Sequence, residues 1–231
     1  MGKIANFNAR RRDWGLERAL YWELMHAISK LGIRLHYVNV ESNVREILGE
    51  DEPILAVGYE TRFVGHAEVL PHVGRVPDLD REFVDTVFAR GDVCIANFRG
   101  DELVGFAFVT YTRARVSDQL DVLIPKGFQY VYKGWTHPDH RRGHLTAARV
   151  YLRHQLLRSD HAQRSVSYVE THNYASLLHS YRRPVERSLR MGFCGWITLF
   201  GRQIPFNSPA ARWLGFEMVR RDDDGRRQYT Y

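Results

Sequence analysis

Residues 130–157 read YVYKGWTHPDHRRGHLTAARVYLRHQLL, a strand, a short basic turn and a helix. Tyr130 to Thr136 is rich in β-branched and aromatic residues, as a strand should be. Pro138 has no N–H to give and ends the strand's pairing. Asp139, His140, Arg141, Arg142 and Gly143 make a polar, positively charged turn. From about Gly143 the apolar residues Leu145, Ala148, Leu152 and Leu156 fall on one face of a helix. The unpaired N–H groups at that helix start, beside two arginines, form a seat for a phosphate-bearing ligand.

Working outward, Arg164 to Glu170 reads as the next strand. Strand, helix and strand make a βαβ unit, so the two strands are expected to be parallel with a right-handed crossover. Asn173, Ala175 and Ser176 open a second helix carrying Leu177, Leu178 and Tyr181. Pro184 interrupts it, and residues 185–193 (VERSLRMGF) are expected to complete it up to Gly192. Trp196 to Gln203 reads as a strand, Ser208 as the cap of a short helix through Leu214, and Phe216 to Arg220 as the last strand. Residues 220–231 are charged and read as exposed.

Upstream, Asp92 to Phe98 and Leu103 to Tyr111 flank the turn Arg99-Gly100-Asp101-Glu102 as an antiparallel hairpin. Both strands are almost wholly apolar, which predicts burial on both faces. Asp78 or Asp80 caps a helix bearing Phe83, Val84, Val87 and Phe88, and Gly91 ends it. Ile54–Gly58 and Arg62–Leu70 are expected to pair across Tyr59, Glu60 and Thr61, and Asn43 to cap a short helix. Ile33 to Val40 alternates as a strand. Leu16, Leu20, Leu24, Ala27 or Ile28, and Leu31 predict an amphipathic helix closed by Gly32. Tyr21 and Trp22 lie beside its stripe as packing residues. Residues 1–13 read as a loose basic tail, and residues 113–127 as a long connection.

The chain has 231 residues, 44% of them hydrophobic, so it can bury a substantial core and does not have a disordered composition. With no repeat or low-complexity linker, one domain over residues 1–231 is the simplest account. The net charge is +6, which suits an anionic ligand. The arginines are scattered in pairs rather than gathered in a block, which argues against nucleic acid. Cys94 and Cys194 lie in no CxxC pattern and read as buried, reduced thiols of a cytoplasmic protein. The N-terminus lacks the apolar region of a signal peptide, and no apolar run is long enough for a membrane span. His137, His140 and His144 are spaced i, i+3 and i+7. The first precedes a proline and the helix begins only near 143, so they need not share a face, and no metal is expected.

Three stretches resemble the GNAT superfamily of acyl-CoA-dependent N-acyltransferases. Residues 135–146 (WTHPDHRRGHLT) look like its cofactor motif, a strand ending at x-Pro-x-x-Arg and running into a Gly-rich turn and helix. Residues 170–176 (ETHNYAS) are similar to its Asn-x-x-Ser helix start, and Met191-Gly192-Phe193 to the Gly-Phe after that helix. The hairpin over 92–111 also fits its central strands, so residues 92–200 match best. The resemblance implies a mixed α/β (α+β) fold: a mostly antiparallel mixed sheet, helices on both faces and a parallel βαβ cofactor unit.

The implied reaction is transfer of an acyl group, most simply acetyl from acetyl-CoA, to a primary amine that attacks directly. The main chain of Arg141, Arg142, Gly143, His144, Leu145 and Thr146 would cradle the pyrophosphate, and Trp135 and Thr136 the pantetheine arm. Asn173 and Ser176 would complete the cofactor site. A main-chain N–H near Trp135 would receive the thioester carbonyl, and Tyr181 would protonate the leaving thiolate. Glu170 is a candidate general base, against the reading of a solvated or salt-bridged strand-end carboxylate. His172 is a further base or substrate candidate, against simple exposure. Tyr130 and Tyr132 line the acceptor pocket or pack in the core. The pattern departs from the family in having one glycine, Gly143, in Arg141-Arg142-Gly143-His144. Either the turn shifts by one or other residues take the usual glycine positions. A second Asn-to-Gly-Phe pair, Asn207 to Gly215-Phe216, competes with the first. The acceptor is a small molecule or a peptide amine. The donor could instead be a longer acyl-CoA or an acidic acyl-carrier protein, which the basic surface would suit, and a homodimer is compatible with all of this. The rivals are a non-catalytic acyl-CoA sensor and a basic nucleic-acid-associated protein.

Overall fold

The opening helical periodicity continues further upstream than it reads. In a computed structural model of the chain, which describes residues 3–41, 57–77, 79–141, 144–156, 164–174 and 188–221, α1 (Lys3–Trp14) precedes α2 (Leu16–Lys30) and β1 (Ile33–Glu41). The expected loose tail is thus corrected to a helix. Its anchor is Arg10, which pairs with Glu23 and sets its guanidinium 3.8 Å over the Trp22 ring. The leucine stripe of α2 is not its buried face: Ala19 and Met25 are buried, while Leu20 and Leu24 are 53% and 56% exposed.

The remaining elements are β2 (Tyr59–Val64), α3 (His66–Val69), α4 (Arg81–Ala89), β3 (Val93–Arg99), β4 (Glu102–Thr110), β5 (Arg113–Arg115) and β6 (Leu120–Leu123). After them come β7 (Phe128–Thr136), α5 (Leu145–Leu156), β8 (Arg164–Glu170), β9 (Ser188–Leu199), β10 (Arg202–Asn207), α6 (Pro209–Leu214) and β11 (Glu217–Arg220). The fold is mixed α/β, with mostly antiparallel strands, helices packed on them and one parallel βαβ unit. The chain forms two compact units, one within residues 42–114 and 124–166, the other from residues 1–41, 115–123 and 167–231.

In the first unit, to which β8 belongs as far as Val166, the strands run β8-β7-β4-β3-β2. β7 and β8 are parallel from Phe128–Arg164 to Tyr130–Val166, as the βαβ reading requires, and the other pairs are antiparallel. Asp80 caps α4, its carboxylate accepting from the Phe83 N–H at 2.8 Å. That helix covers the Phe106 and Phe108 face of β4, where Phe83 meets Phe108 edge-on with centroids 5.1 Å apart. α5 lies on the opposite, Gly105 face. The hairpin expected across Tyr59–Thr61 is replaced by pairing of β2 with β3. Gly65 then starts a helix whose Glu68 carboxylate accepts the Gly65 N–H at 2.9 Å.

In the second unit β9 pairs with β1 on one side and β10 on the other, and β11 pairs with β6. The helix expected to reach Gly192 is corrected here: from Ser188 the chain is extended. Gly192 and Phe193 face Val38 and Tyr37 across the ladder, and Arg190 stacks 3.6 Å over Tyr37. Cross-strand pairing outweighs the local helical pattern. The capped helix at Ser208 is present, with Ser208 Oγ accepting from the Ala211 N–H at 3.3 Å and Gly215 closing it at φ 82°. The expected elements over residues 43–49 and 175–187 lie outside the described residues. Among the described residues no helix is long and apolar enough to cross a membrane.

Candidate functional site

The cofactor strand contains a break that its sequence hints at. On β7, Tyr132 pairs with Phe108 and Trp135 with Phe106, so Lys133 and Gly134 together oppose Ala107 alone. This is a β-bulge, which bends the strand and locally disrupts the ladder. Lys133 adopts φ 52°, a left-handed conformation that a non-glycine residue holds only when its surroundings enforce it. Both bulge residues are exposed, and a Cβ placed on Gly134 would meet no atom within 4 Å. The irregular stretch of β7 therefore borders open space at Gly134, one residue before Trp135.

Beyond the bulge, Trp135 lies half-buried with its ring 5.9 Å from Phe106, and the His137 N–H donates to the Val104 carbonyl at 2.9 Å. Pro138–His140 form a 3-10 turn. His140 is buried, with Nδ1 2.9 Å from the Tyr59 hydroxyl. Arg141 is exposed, and α5 begins at Leu145. Arg142 and Gly143 lie outside the described residues. His144 has φ 57°: a residue other than glycine takes a left-handed position, one of the two alternatives open from the sequence. A Cβ there carries a conformational cost of about 1–2 kcal/mol. His144→Gly is accordingly expected to be more stable than His144→Ala by about 1 kcal/mol, read from urea unfolding midpoints. Equal midpoints would mean that the turn relaxes out of this conformation.

The buried face of α5 is not the apolar stripe alone. Leu145 and Ala148 are buried, and so are Arg149, Arg153 and His154. Arg149 reaches under the helix start: Nη1 donates to Asn97 Oδ1, and Nη2 donates to Thr136 Oγ1 at 2.8 Å and Thr146 Oγ1 at 3.3 Å. Burial pulls its guanidinium down to about 10. Thr136 and Thr146 are thus joined by one nitrogen, while Thr146 itself is exposed.

A cleft of about 710 Å³ opens beside Trp135, His137 and Pro138 and is lined as well by His72, Arg75 and Val76 and by Asp101, Glu102 and Leu103. Burial, and then the Arg75 charge, hold the His72 imidazole below its usual range, which favours its neutral form. Neither His72 nor the carboxylates of the hairpin turn stand out in the sequence; only the β3–β4 turn and the loop after α3 bring them to one cleft.

Tyr130 and Tyr132 are buried and stacked, with centroids 6.0 Å apart. The Tyr132 hydroxyl donates to the Asp92 carboxylate and accepts from Arg90 Nη2 at 2.9 Å. Burial first, and then Asp92, push that phenol far above its usual range.

The other candidates sit in the second unit. Glu170 is ion-paired, its Oε1 2.9 Å from Arg34 Nη1, and its Oε2 lies 3.7 Å from His172 Nε2. Burial lowers the His172 pKa, against the opposing pull of Glu170. His36, behind them, is buried at 5% exposure between Tyr168 and Trp196, and burial holds its imidazole down to about 4. The Asn173 N–H donates to the Glu170 carbonyl at 2.9 Å. Ser176 and Tyr181 lie outside the described residues. Among the described residues no three metal-ligating side chains converge.

No family model and no curated protein matches this chain. Among solved structures it is similar to a GCN5-related N-acetyltransferase from Kribbella flavida, with a TM-score of 0.43 and 13% identity over 83% of this chain and 66% of that one. A tandem GNAT protein of the clavulanic acid biosynthesis pathway gives 0.42 and 13% over 70% and 52%. A Drosophila protein gives 0.49 and 16% over 76% and 55%. The chain spans 55% of the Drosophila structure and 64% of one from Staphylococcus epidermidis.

Proposed function

We propose that residues 1–231 act as a single GNAT-like domain that transfers an acyl group, most simply acetyl from acetyl-CoA, to a primary amine. The observation that carries this is the order of features along β7: a bulge at Lys133–Gly134, then a basic turn, then the start of α5. A main-chain N–H near Trp135 would receive the thioester oxygen as it gains charge, while the turn from Arg141 to Thr146 would hold the pyrophosphate. Trp135 and Thr136 would flank the pantetheine arm. The amine nitrogen attacks the thioester carbon, the C–S bond breaks, and the amine's proton leaves through a base. His72 beside the cleft is the base candidate within this unit, and Tyr181 remains the acid that the resemblance implies. Asp101 and Glu102 on the cleft rim suit an acceptor that arrives as a cation. A longer acyl-CoA or a carrier protein as donor uses the same geometry.

The ion pair that Arg34 forms with Glu170 favours a second reading, an acyl-CoA sensor whose strand-end carboxylate serves structure. Calorimetry with acetyl-CoA is expected to show binding at tens of micromolar or tighter, and Arg141→Ala to weaken it about tenfold. An absence of binding by the unmodified protein would sink both readings. Thiol release across a panel of amines then separates enzyme from sensor.

A further inference from the structure

We propose that Arg149 is an internal counter-charge for the phosphates of the bound coenzyme, a positioning residue that acts through Thr136 and Thr146 without touching the ligand. This rests on the coenzyme reading above. Arg149 is buried, with 7% of the residue exposed, yet Asn97, Thr136 and Thr146, its three hydrogen-bond partners, are all neutral. Among the described residues no carboxylate pairs with it. A cation taken out of water without an opposite charge is one of the least favourable arrangements a core can hold. The helix dipole adds to this, because the first turns of α5 already carry positive potential.

The seat is nevertheless built with care over several strands. Gly105 leaves the space that the guanidinium fills: a Cβ there would collide with Arg149 Nη1 and stand 2.8 Å from Asn97 Oδ1. Asn97 is fully buried and is itself held by Thr61 at 2.6 Å and by the Leu145 carbonyl at 3.4 Å. A leucine or methionine at 149 would fill the same space without the desolvation. A buried charge, a helix start and the neighbouring Arg141 are all relieved by one thing, an anion at the turn.

The threonines supply the route. A hydroxyl that accepts from a guanidinium keeps its own hydrogen to donate. Arg149 Nη2 occupies an acceptor site on both Thr136 and Thr146, so both O–H groups are left for a ligand at the strand end and the helix start. The cation thus fixes the direction of two donors and supplies charge from beneath.

The test uses the full chain with Arg149→Met, and with Thr146→Val as a second variant at an exposed position. CoA, phosphate-free pantetheine and inorganic pyrophosphate are titrated into each by calorimetry, and melting is followed without ligand. Arg149→Met is expected to bind CoA and pyrophosphate about 10- to 100-fold more weakly, to bind pantetheine unchanged, and to melt no lower than the unmodified protein. Thr146→Val is expected to lose a few-fold toward CoA alone of the two organic ligands. The proposal is overturned if both variants bind CoA as the unmodified protein does, or if they lose CoA and pantetheine equally. If Arg149→Met does not fold, Thr146→Val decides by the same criterion. Failure of the unmodified protein to bind CoA would instead remove the coenzyme reading. Pyrophosphate binding that Arg149→Met loses would then still mark Arg149 as an anion counter-charge, and no pyrophosphate binding would overturn that too.

Discussion

Deleting Gly134 is expected to leave a folded protein that has lost about 10²–10³ in the rate of thioester cleavage proposed for it. The bulge consists of one extra residue. Removing it lets Lys133 alone face Ala107, while Tyr132 keeps Phe108 and Trp135 keeps Phe106. The ladder closes into regular pairing, the main chain beside Trp135 shifts, and the thioester oxygen loses its proposed donor as its charge develops. Gly134→Ala is the control. Its Cβ enters open space and the bulge survives, so its rate should stay within a few-fold of the unmodified protein. Single-turnover thiol release, with circular dichroism as the check on folding, reads both. A deletion variant that folds and keeps its rate would place the acyl carbonyl elsewhere.

The largest stability effect is expected at Arg90. Its guanidinium bridges the Asp92 carboxylate, whose side chain is 2% exposed, and the hydroxyl of Tyr132. Arg90→Met strands a buried carboxylate with one neutral donor, at a cost of about 3–5 kcal/mol. Urea unfolding should show the loss as a lower midpoint at unchanged slope. The double variant Arg90→Met/Asp92→Asn removes the charge as well and should recover most of it. A single variant within about 1 kcal/mol of the unmodified protein would show that Asp92 is compensated by something other than Arg90.

Where the deciding signal is local, it was legible. The Asp80 and Ser208 caps, the β3–β4 hairpin, the strand over 130–136 and the helix over 145–156 each rest on residues a few positions apart, and they fold as read. The bulge had a local signal too, a glycine inside a strand, which the aromatic run around it masked. β9 was misread because its Ser188–Phe193 segment takes its conformation from β1, more than 140 residues away. The stripe on α2 failed for a similar reason, since periodicity identifies a helix but not which neighbour it meets. Of the proposed site, the basic turn was visible. The cradle of Arg149 was not: Asn97, Gly105 and Thr136 lie on three strands, and only their pairing brings them under one helix.

The two cysteines have a practical consequence. Cys94 is 1% exposed and Cys194 fully buried, and burial pushes both thiols up to about 12. At neutral pH neither offers an accessible thiolate to a chromogenic disulfide, so the colour in a thiol-release assay belongs to the liberated coenzyme. Under denaturing stress the same pair becomes an internal clock. Cys94 lies in one compact unit and Cys194 in the other. Pulsed alkylation followed by peptide mapping therefore times the opening of each unit separately, with no label introduced into either.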